Sequence, residues 1–221
     1  MSRGTLMVIA KEPVAGAVKT RLCPPCTPAQ AAAVAEAALR DTLDAVSGAR
    51  TPRRLVVLDG GAPAWLGASF DVIPQRGAGL GQRLTAAFQD CGGPGFVVAM
   101  DTPQLTAAML DDALGWLEDR GCDAVIGPTP DGGYWGIGFA TPCPGAFAGV
   151  PMSTGETLAR QLDRLAELGL RTETLGELED VDTIADARRV AAAAPATRFA
   201  AVLAESGHAA EREQPVPEAA A

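Results

Sequence analysis

The sequence predicts a single α/β domain, residues 1–204, in which a mostly parallel sheet is covered by helices on both faces. Apolar runs of strand length recur along the chain. Helix-like segments separate most of these runs, an alternation that is typical of βαβ units. The 221 residues, of which 48% are apolar, can bury one sizeable core.

Each predicted element rests on a local signal. Apolar runs predict five strands, at Thr5–Ala10, Arg54–Leu58, Phe70–Ile73, Phe96–Met100 and Cys122–Ile126. Capping residues, prolines and alanine-rich composition predict five helices, from Thr27-Pro28 to Val46, Gly81–Cys91, from Thr106 to near Arg120-Gly121, Gly155–Leu168 and Thr183–Ala194. Residues 205–221 lose apolar periodicity and gather Pro, Glu and Ala, which predicts a disordered acidic tail.

The charge balance limits the partners. The chain has 18 Lys and Arg against 27 Asp and Glu, a net charge of −9, so we expect no general binding to nucleic acid or to anionic membranes. The apolar run Leu6–Ala10 is too short for a signal-peptide core, and no stretch reaches 18 uninterrupted apolar residues. We expect a cytoplasmic protein with small-molecule ligands, and a homodimer is compatible with the sequence.

The five cysteines argue against a disulfide framework, because their number is odd and no secretory signal is visible. The spacing of Cys23-Pro-Pro-Cys26 suits a zinc or redox pair. No second CxxC accompanies it, however, and His208, the only histidine, lies in the predicted tail. Incidental thiols are the favoured interpretation. A lone histidine in a tail also argues against Ser-His-Asp or Cys-His catalysis.

The loop after the first predicted strand has the composition of a phosphate-binding segment. Lys11, Lys19 and Arg21 supply cations, Thr20 supplies a hydroxyl, and Gly16 allows the backbone to bend. Ligands of open α/β sheets bind beyond the carboxyl ends of strands, which favours phosphate binding over a solvated basic turn. A Walker A loop is excluded because a valine, not a glycine, precedes Lys19-Thr20.

A glycine-rich segment, Gln75–Arg83, precedes the second predicted helix. Its glycines permit close approach of the backbone to a ligand, so Gly81 and Arg83 are candidate contacts to a nucleotide base or ribose. A plain glycine-rich turn is an equally good interpretation. The spacing GxGxG and the position outside the first βα unit argue against a dinucleotide fingerprint.

Two acidic segments are candidates for a metal site. Asp101 directly follows the run Phe96–Met100, where a carboxylate suits Mg²⁺ or Mn²⁺. Asp101 could instead cap the next helix, but Thr106 can fill that role. Before the last predicted helix, the segment Glu179-Asp180-Val181-Asp182 offers one carboxylate as a helix cap and another as a second metal contact.

The segment Pro130–Gly138 predicts a hairpin turn at Asp131-Gly132. Gly132 and Gly133 permit tight backbone geometry, and Tyr134 can cover a ligand. Turn and acceptor site are compatible interpretations, with the turn placing Tyr134 beside the acceptor.

Taken in order, the motifs KEPVAGAVKTRL, QRGAGLGQRL, MDTPQL, GPTPDGGYWGIG and DVDT resemble a bacterial glycosyltransferase-A-like family of the nucleotide-diphospho-sugar transferase superfamily, whose members are labelled as associated with radical-SAM, selenium or arsenosugar genes. The similarity covers about residues 5–194. It implies a GT-A fold, which is a Rossmann-like three-layer sandwich, a nucleotide site at the first loop, and Asp101 and Asp182 as metal ligands. Acceptor contacts are then expected also at Ser153 and Thr154.

The sequence departs from the family pattern at three places. Ala99-Met100 stands where Gly-Ser is usual, Gly79 replaces an acidic residue, and Met152 replaces a tryptophan. Gly79 and Met152 fall in loops expected to face the ligand, so acceptor specificity is the property most affected.

Three functions fit these features. Asp101-Thr102-Pro103 and the KTRL loop resemble cofactor guanylyltransferases, which favours nucleotidyl transfer from a nucleoside triphosphate to a small phosphorylated or hydroxyl acceptor. Lys19, Asp101 and Asp182 would be the catalytic residues, with Lys19 and Arg21 holding pyrophosphate. Glycosyl transfer from a nucleotide-sugar is the first alternative, and a non-catalytic nucleotide-binding module is the second.

Overall fold

One sheet of seven strands forms the centre of the molecule. The structure is a computed structural model, and it describes residues 4–209. Within that range the strands are β1 Thr5–Lys11, β2 Arg53–Asp59, β3 Asp71–Pro74, β4 Gly95–Ala99, β5 Ala124–Pro128, β6 Tyr134–Phe139 and β7 Thr172–Thr174. Their order is β3-β2-β1-β4-β6-β5-β7. β6 is antiparallel to β4 and β5, and the other pairs are parallel, which confirms the predicted sheet.

The described range has six α-helices. They are α1 Pro28–Gly48, α2 Leu80–Cys91, α3 Ala107–Glu118, α4 Thr157–Glu167, α5 Ile184–Ala193 and α6 Arg198–Glu205. Of these, α5 and α6 pack on α1 and not on the sheet. α1 begins as predicted, because the Thr27 hydroxyl accepts from the backbone of Gln30 and the Gln30 side chain accepts from the backbone of Thr27. The five predicted helices are confirmed, with ends that differ by a few residues. No helix among residues 4–209 is long and apolar enough to cross a membrane.

The alternation of side chains along β1 explains its continuous apolar run. Leu6 and Val8 pack into a core cluster with residues of α1 and α3, whereas Met7 packs into a second cluster with residues of α2 and α4. A strand covered on both faces has apolar residues at every position. A third cluster joins α1 to α5 and α6, so α1 has apolar neighbours on both sides.

Three elements have no counterpart among the predicted ones, namely β6 as a strand, β7 and α6. β6 contains Gly136 and Gly138, which lower strand propensity. A Cβ at either glycine would come within 2.7 Å of the Phe96 ring, so close packing against β4 requires them. β7 has three residues, too few for a periodic signal. The fifth predicted strand is displaced by two residues, to Ala124–Pro128.

The first residues of the predicted tail contact the helices. The carbonyl of Ser206 accepts from Gln30 Nε2 at 3.3 Å, and that of His208 accepts from Arg188 Nε at 3.0 Å. The domain limit at residue 204 stays a prediction, and residues 210–221 of the predicted tail lie outside the described residues.

Two truncations test where the domain ends. Removing residues 210–221, which have no apolar periodicity, is expected to leave the melting temperature unchanged. Ending the chain at Ala204 also removes the two hydrogen bonds of Ser206 and His208. At about 0.5–1 kcal/mol each, their loss should lower the melting temperature by roughly 2–8 °C. Equal melting of the two truncated chains in calorimetry would show that residues 205–209 add no stability.

Candidate active site

The candidate site lies where the order of strands reverses. β1 pairs with β2 on one side and with β4 on the other, and all three run parallel. The loops after β1 and β4 therefore leave the sheet at the same edge, the usual ligand position in this class of fold. At this edge the backbone N–H of Lys11 lies 3.2 Å from the sulfur of Met100.

Buried residues on either side hold Lys19 in place. Val18 packs with Ala32 and Ala35 of α1, and Leu22 packs in the cluster that contains Val181. Lys19 adopts left-handed backbone geometry, with φ of 47° and ψ of 38°, before a 3₁₀ turn at Thr20–Leu22. This conformation costs a non-glycine residue roughly 1–2 kcal/mol, and such strain is concentrated at functional sites.

Three carboxylates converge on the side chain of Lys19. Asp101, Asp180 and Asp182 each place an oxygen within 4.8 Å of the others, and together they are called the carboxylate cluster below. Lys19 Nζ lies 2.5 Å from Asp101 Oδ2 and 3.4 Å from Asp182 Oδ1. Arg21 Nη1 lies 2.8 Å from Asp182 Oδ2. The structure thus brings together the three residues predicted to be catalytic.

The charges of the cluster perturb one another. Burial raises the pKa of Asp180 to about 7, with further contributions from the carboxylates of Asp101, Asp131 and Asp182, while Lys19 acts in the opposite direction. Burial alone would lower the pKa of Lys19, but the Asp101 carboxylate, helped by those of Asp182 and Asp180, raises it above its ordinary value. Negative charge is therefore in excess at this edge of the sheet.

The expectation that one carboxylate of the segment 179–182 caps α5 is wrong. The cap is Thr183, whose hydroxyl accepts from the backbone N–H of Asp186. The Asp186 carboxylate in turn accepts from the backbone of Thr183 at 2.6 Å and of Asp182 at 3.2 Å. A complete capping box leaves the side chains of Asp180 and Asp182 available to the cluster.

The predicted hairpin turn is present between β5 and β6. The Asp131 carboxylate accepts from the Thr129 hydroxyl at 2.5 Å and from the backbone of Gly133 at 2.9 Å. Gly132 has a φ of +86°, and its carbonyl accepts from the backbone N–H of Leu158 at 2.8 Å. The turn therefore attaches the start of α4 to the sheet, with Asp131 near enough to raise the pKa of Asp180.

The other predicted acceptor residues lie near this turn. Ser153, with a φ of 61°, and Thr154 are exposed just before α4. The Tyr134 hydroxyl is 3.7 Å from the sulfur of Met152. Met152 also lines a groove of about 520 Å³ between the start of α2 and the segment 144–152, and none of the side chains that line it is ionisable.

The remaining predicted nucleotide contacts are spread along the same edge. Lys11, Gly16 and Thr20 are exposed. Gly81 lines the groove, where a Cβ would lie 3.3 Å from Met152 Cε. Arg83 Nη1 donates to Asp59 Oδ2 and to Gln75 Oε1, both at 2.8 Å, so its guanidinium links α2 to the ends of β2 and β3. Their contact with a nucleotide stays a prediction.

Asp180 belongs to the cluster, although the sequence motifs predict no separate role for it. The sequence does contain a signal for this residue, because an apolar residue separates two acidic ones in the segment Asp180-Val181-Asp182. Val181 is 1% exposed, and its backbone N–H donates to the carbonyl of Asp101 at 3.2 Å. In an extended segment, the residues on either side of a buried one lie together on the opposite face, so a buried Val181 predicts that Asp180 and Asp182 act as a pair.

Comparison with known proteins identifies the family. A family model described as an uncharacterized protein conserved in bacteria (DUF2064) matches residues 31–154, which is more than half of the chain. The chain belongs to this family. No curated protein is significantly similar to it in sequence. The match to DUF2064 includes Asp101 and the hairpin turn, whereas Lys19, Asp180 and Asp182 lie on either side of it.

Solved structures share the DUF2064 chain's fold. A candidate nucleotide-diphospho-sugar transferase from Desulfovibrio desulfuricans G20 is 26% identical, with a TM-score of 0.83 over 94% of this chain and 96% of its own. CMP:2-keto-3-deoxy-manno-octonic acid synthetase complexed with CTP is 14% identical, with a TM-score of 0.56 over 88% and 99%. A mannosyltransferase from Pyrobaculum calidifontis in complex with GDP-Man and Mn²⁺ is 14% identical, with a TM-score of 0.53 over 96% and 76%.

These likenesses confirm the GT-A-like fold and the superfamily. The chain is a transferase of the nucleotide-diphospho-sugar transferase superfamily, as its likeness to the Desulfovibrio desulfuricans protein shows.

Proposed function

We propose that the chain transfers a nucleotidyl group from a nucleoside triphosphate to a small phosphorylated or hydroxyl acceptor, with a divalent cation bound at the carboxylate cluster. The observation that carries this proposal is the meeting of Asp101, Asp180 and Asp182 with Lys19 and Arg21 at the strand-order reversal. Carboxylates suit a hard cation, and the two basic side chains suit phosphate oxygens.

The donor set of the cluster fits Mg²⁺ or Mn²⁺. All three ligands are carboxylate oxygens, which both ions accept. The raised pKa of Asp180 supports the fit, because burial and then the neighbouring carboxylates oppose its negative charge, and a bound cation relieves both effects. When bound, the cation neutralises charge on the phosphate oxygens of the donor. The Mn²⁺ bound to the mannosyltransferase of similar fold supports a divalent ion in general.

The basic side chains are assigned to the leaving group. An acceptor oxygen forms a bond to the α-phosphorus, the bond from that phosphorus to the bridging oxygen of the β-phosphate breaks, and pyrophosphate departs. Lys19 and Arg21 lie beside the cluster and hold the charge that develops on pyrophosphate. Thr20, Gly16 and the exposed backbone of this loop add donors for the triphosphate.

The acceptor is assigned to the opposite side of the hairpin turn. Asp131, Gly132, Gly133 and Tyr134 form or directly follow this turn. Asp131 is near enough to Asp180 to raise its pKa, and the Tyr134 hydroxyl contacts Met152, which precedes the exposed Ser153-Thr154 segment. The groove beside Met152 has no ionisable side chain, and it suits an uncharged part of the acceptor.

Substitution of either basic residue tests the assignment to pyrophosphate. At saturating Mg²⁺, Lys19→Ala and Arg21→Ala are each expected to weaken nucleoside triphosphate binding by about 1.5–3 kcal/mol, as for loss of a charge-assisted contact. The effect on the nucleoside monophosphate should be much smaller, because the β- and γ-phosphates are missing. Calorimetric titration of both nucleotides with each variant measures the difference.

Arg50→Ala is a suitable control for the change in net charge. Arg50 pairs with Asp111 at 2.9 Å, near the amino ends of the strands and away from the cluster, so its loss should leave nucleotide affinity unchanged. The wild type should also release pyrophosphate from one triphosphate when an acceptor is supplied. Release of a nucleoside diphosphate from a nucleotide-sugar, with no pyrophosphate from any triphosphate, would instead establish glycosyl transfer. Tight nucleotide binding without any product would establish a non-catalytic module.

A further inference from the structure

The ammonium group of Lys19 contacts two of the three carboxylates that would hold a metal ion. It contacts Asp101 and Asp182, and its side chain is only 11% exposed. The carboxylate of Asp182 also contacts Arg21, so two basic side chains offset part of the charge of the cluster. A hard divalent ion and an ammonium group compete for the same carboxylate oxygens.

The ammonium group of Lys19 contacts Asp101 and Asp182, so a phosphate oxygen would compete with these two carboxylates for it. The proposed function needs Lys19 at pyrophosphate and a cation at Asp101. With the cation in place, repulsion between like charges opposes the present position of the ammonium group. A phosphate of the donor would then offer that group a new partner.

We propose that Lys19 couples metal binding to nucleotide binding by moving from the carboxylates of Asp101 and Asp182 to the phosphates of the donor when a divalent cation enters. This inference rests on the proposed function. Without nucleotide, displacement of Lys19 opposes cation binding, whereas a bound nucleotide accepts the displaced ammonium group. Cation and nucleotide therefore strengthen each other's binding, and by linkage the factor is the same in both directions.

The surroundings of Lys19 allow this movement without refolding. Val18 and Leu22 are buried, so the backbone on both sides is fixed by packing. The side chain itself has four rotatable bonds and one terminal charge, which lets the ammonium group move by rotation alone. Arg21 is 74% exposed in its pair with Asp182 and is free to turn towards the same ligand.

The first test measures Mn²⁺ binding by calorimetry in the absence of nucleotide. Lys19→Met removes the competing charge and keeps the length of the side chain, so it is expected to bind Mn²⁺ about tenfold to a hundredfold more tightly than the wild type, the range of one charge-assisted contact. Arg50→Met removes the same charge far from the cluster and should bind Mn²⁺ like the wild type. Unchanged or weaker binding by Lys19→Met would overturn the proposal.

The second test uses the wild type and does not depend on the folding of a variant. The chain has two lysines, Lys11 and Lys19. Lys11 is exposed and serves as an internal control for an amine-specific acetylating reagent, with labelling measured by mass spectrometry. Saturating Mg²⁺ alone should increase the labelling of Lys19 several-fold and leave that of Lys11 unchanged. Addition of a triphosphate should then protect Lys19 again.

The outcomes separate this proposal from the proposed function. Continued protection of Lys19 under Mg²⁺, or an equal rise at Lys11, would overturn the coupling while leaving a metal-dependent transferase intact. If neither the wild type nor Lys19→Met bound Mn²⁺, with or without a triphosphate, the metal-dependent function itself would be wrong and the coupling with it.

Discussion

Asp101→Asn is expected to abolish metal-dependent nucleotide binding while the fold is retained. The amide has the size of the carboxylate, and the backbone carbonyl of Asp101 still accepts from Val181. The charge that holds a hard cation is lost, however, and with it the partner of Lys19 at 2.5 Å. The loss in Mn²⁺-dependent triphosphate affinity should exceed the roughly 10–100-fold that is usual for a residue that only orients a metal ligand.

Asp111→Asn provides the matched control, since it makes the same chemical change in the distant ion pair with Arg50. Its nucleotide affinity should equal that of the wild type. Thermal melting of both variants checks the fold. Mn²⁺-dependent affinity that is unchanged in Asp101→Asn would remove Asp101 from the metal site.

Gly132→Ala is expected to have the largest effect on stability. With a φ of +86°, an alanine there is strained, and its Cβ would lie 2.6 Å from the carbonyl carbon of Gly155 and closer still to the oxygen. The left-handed conformation alone costs roughly 1–2 kcal/mol. Because the overlap is with backbone, relief requires movement of the turn or of the start of α4, so the free energy of unfolding should fall by about 3 kcal/mol or more.

Gly155→Ala tests the same contact from the other side. A Cβ on Gly155 would lie 3.6 Å from the carbonyl oxygen of Asp131, an ordinary contact distance. Its effect on the free energy of unfolding should stay within about 0.5 kcal/mol. Urea denaturation of the two variants gives the comparison, and similar values for both would show that the turn is less tightly packed against α4 than the structure indicates.

The sequence predicts those parts of the fold in which one residue type repeats. Apolar runs locate β1 and β4 because these strands are buried on both faces, and Thr27-Pro28 locates α1 because a cap and a pre-set φ suit a first turn. The sequence does not predict β6, because its glycines lower strand propensity. They are needed for close packing against the ring of Phe96, a contact that exists only in the folded chain. α6 has a cap at Thr197, but it lies directly before the predicted tail, whose polar composition hides the helix.

The candidate site is predicted less completely than the fold. Lys19, Asp101 and Asp182 follow or precede regular elements, so their convergence could be expected from the rule that ligands bind at the carboxyl ends of strands. The pairing of Lys19 with the carboxylates could not be expected, because the composition of the loop after β1 predicts phosphate as the partner of its basic residues. The role of Asp180 depends on the capping of α5 by Thr183, a competition between neighbouring side chains that the segment alone leaves open.

The distances along the chain between the members of the cluster have a consequence for synthesis. Lys19 is separated from Asp101 by 82 residues and from Asp182 by 163. A nascent chain emerges from its amino terminus, so the basic loop and all seven strands leave the ribosome before Asp180 and Asp182 do. An unfinished chain can thus assemble its sheet and still have one carboxylate of the three. With the proposed metal site, strong cation binding would then begin only after residues 180–182 have left the ribosome and folded against Asp101.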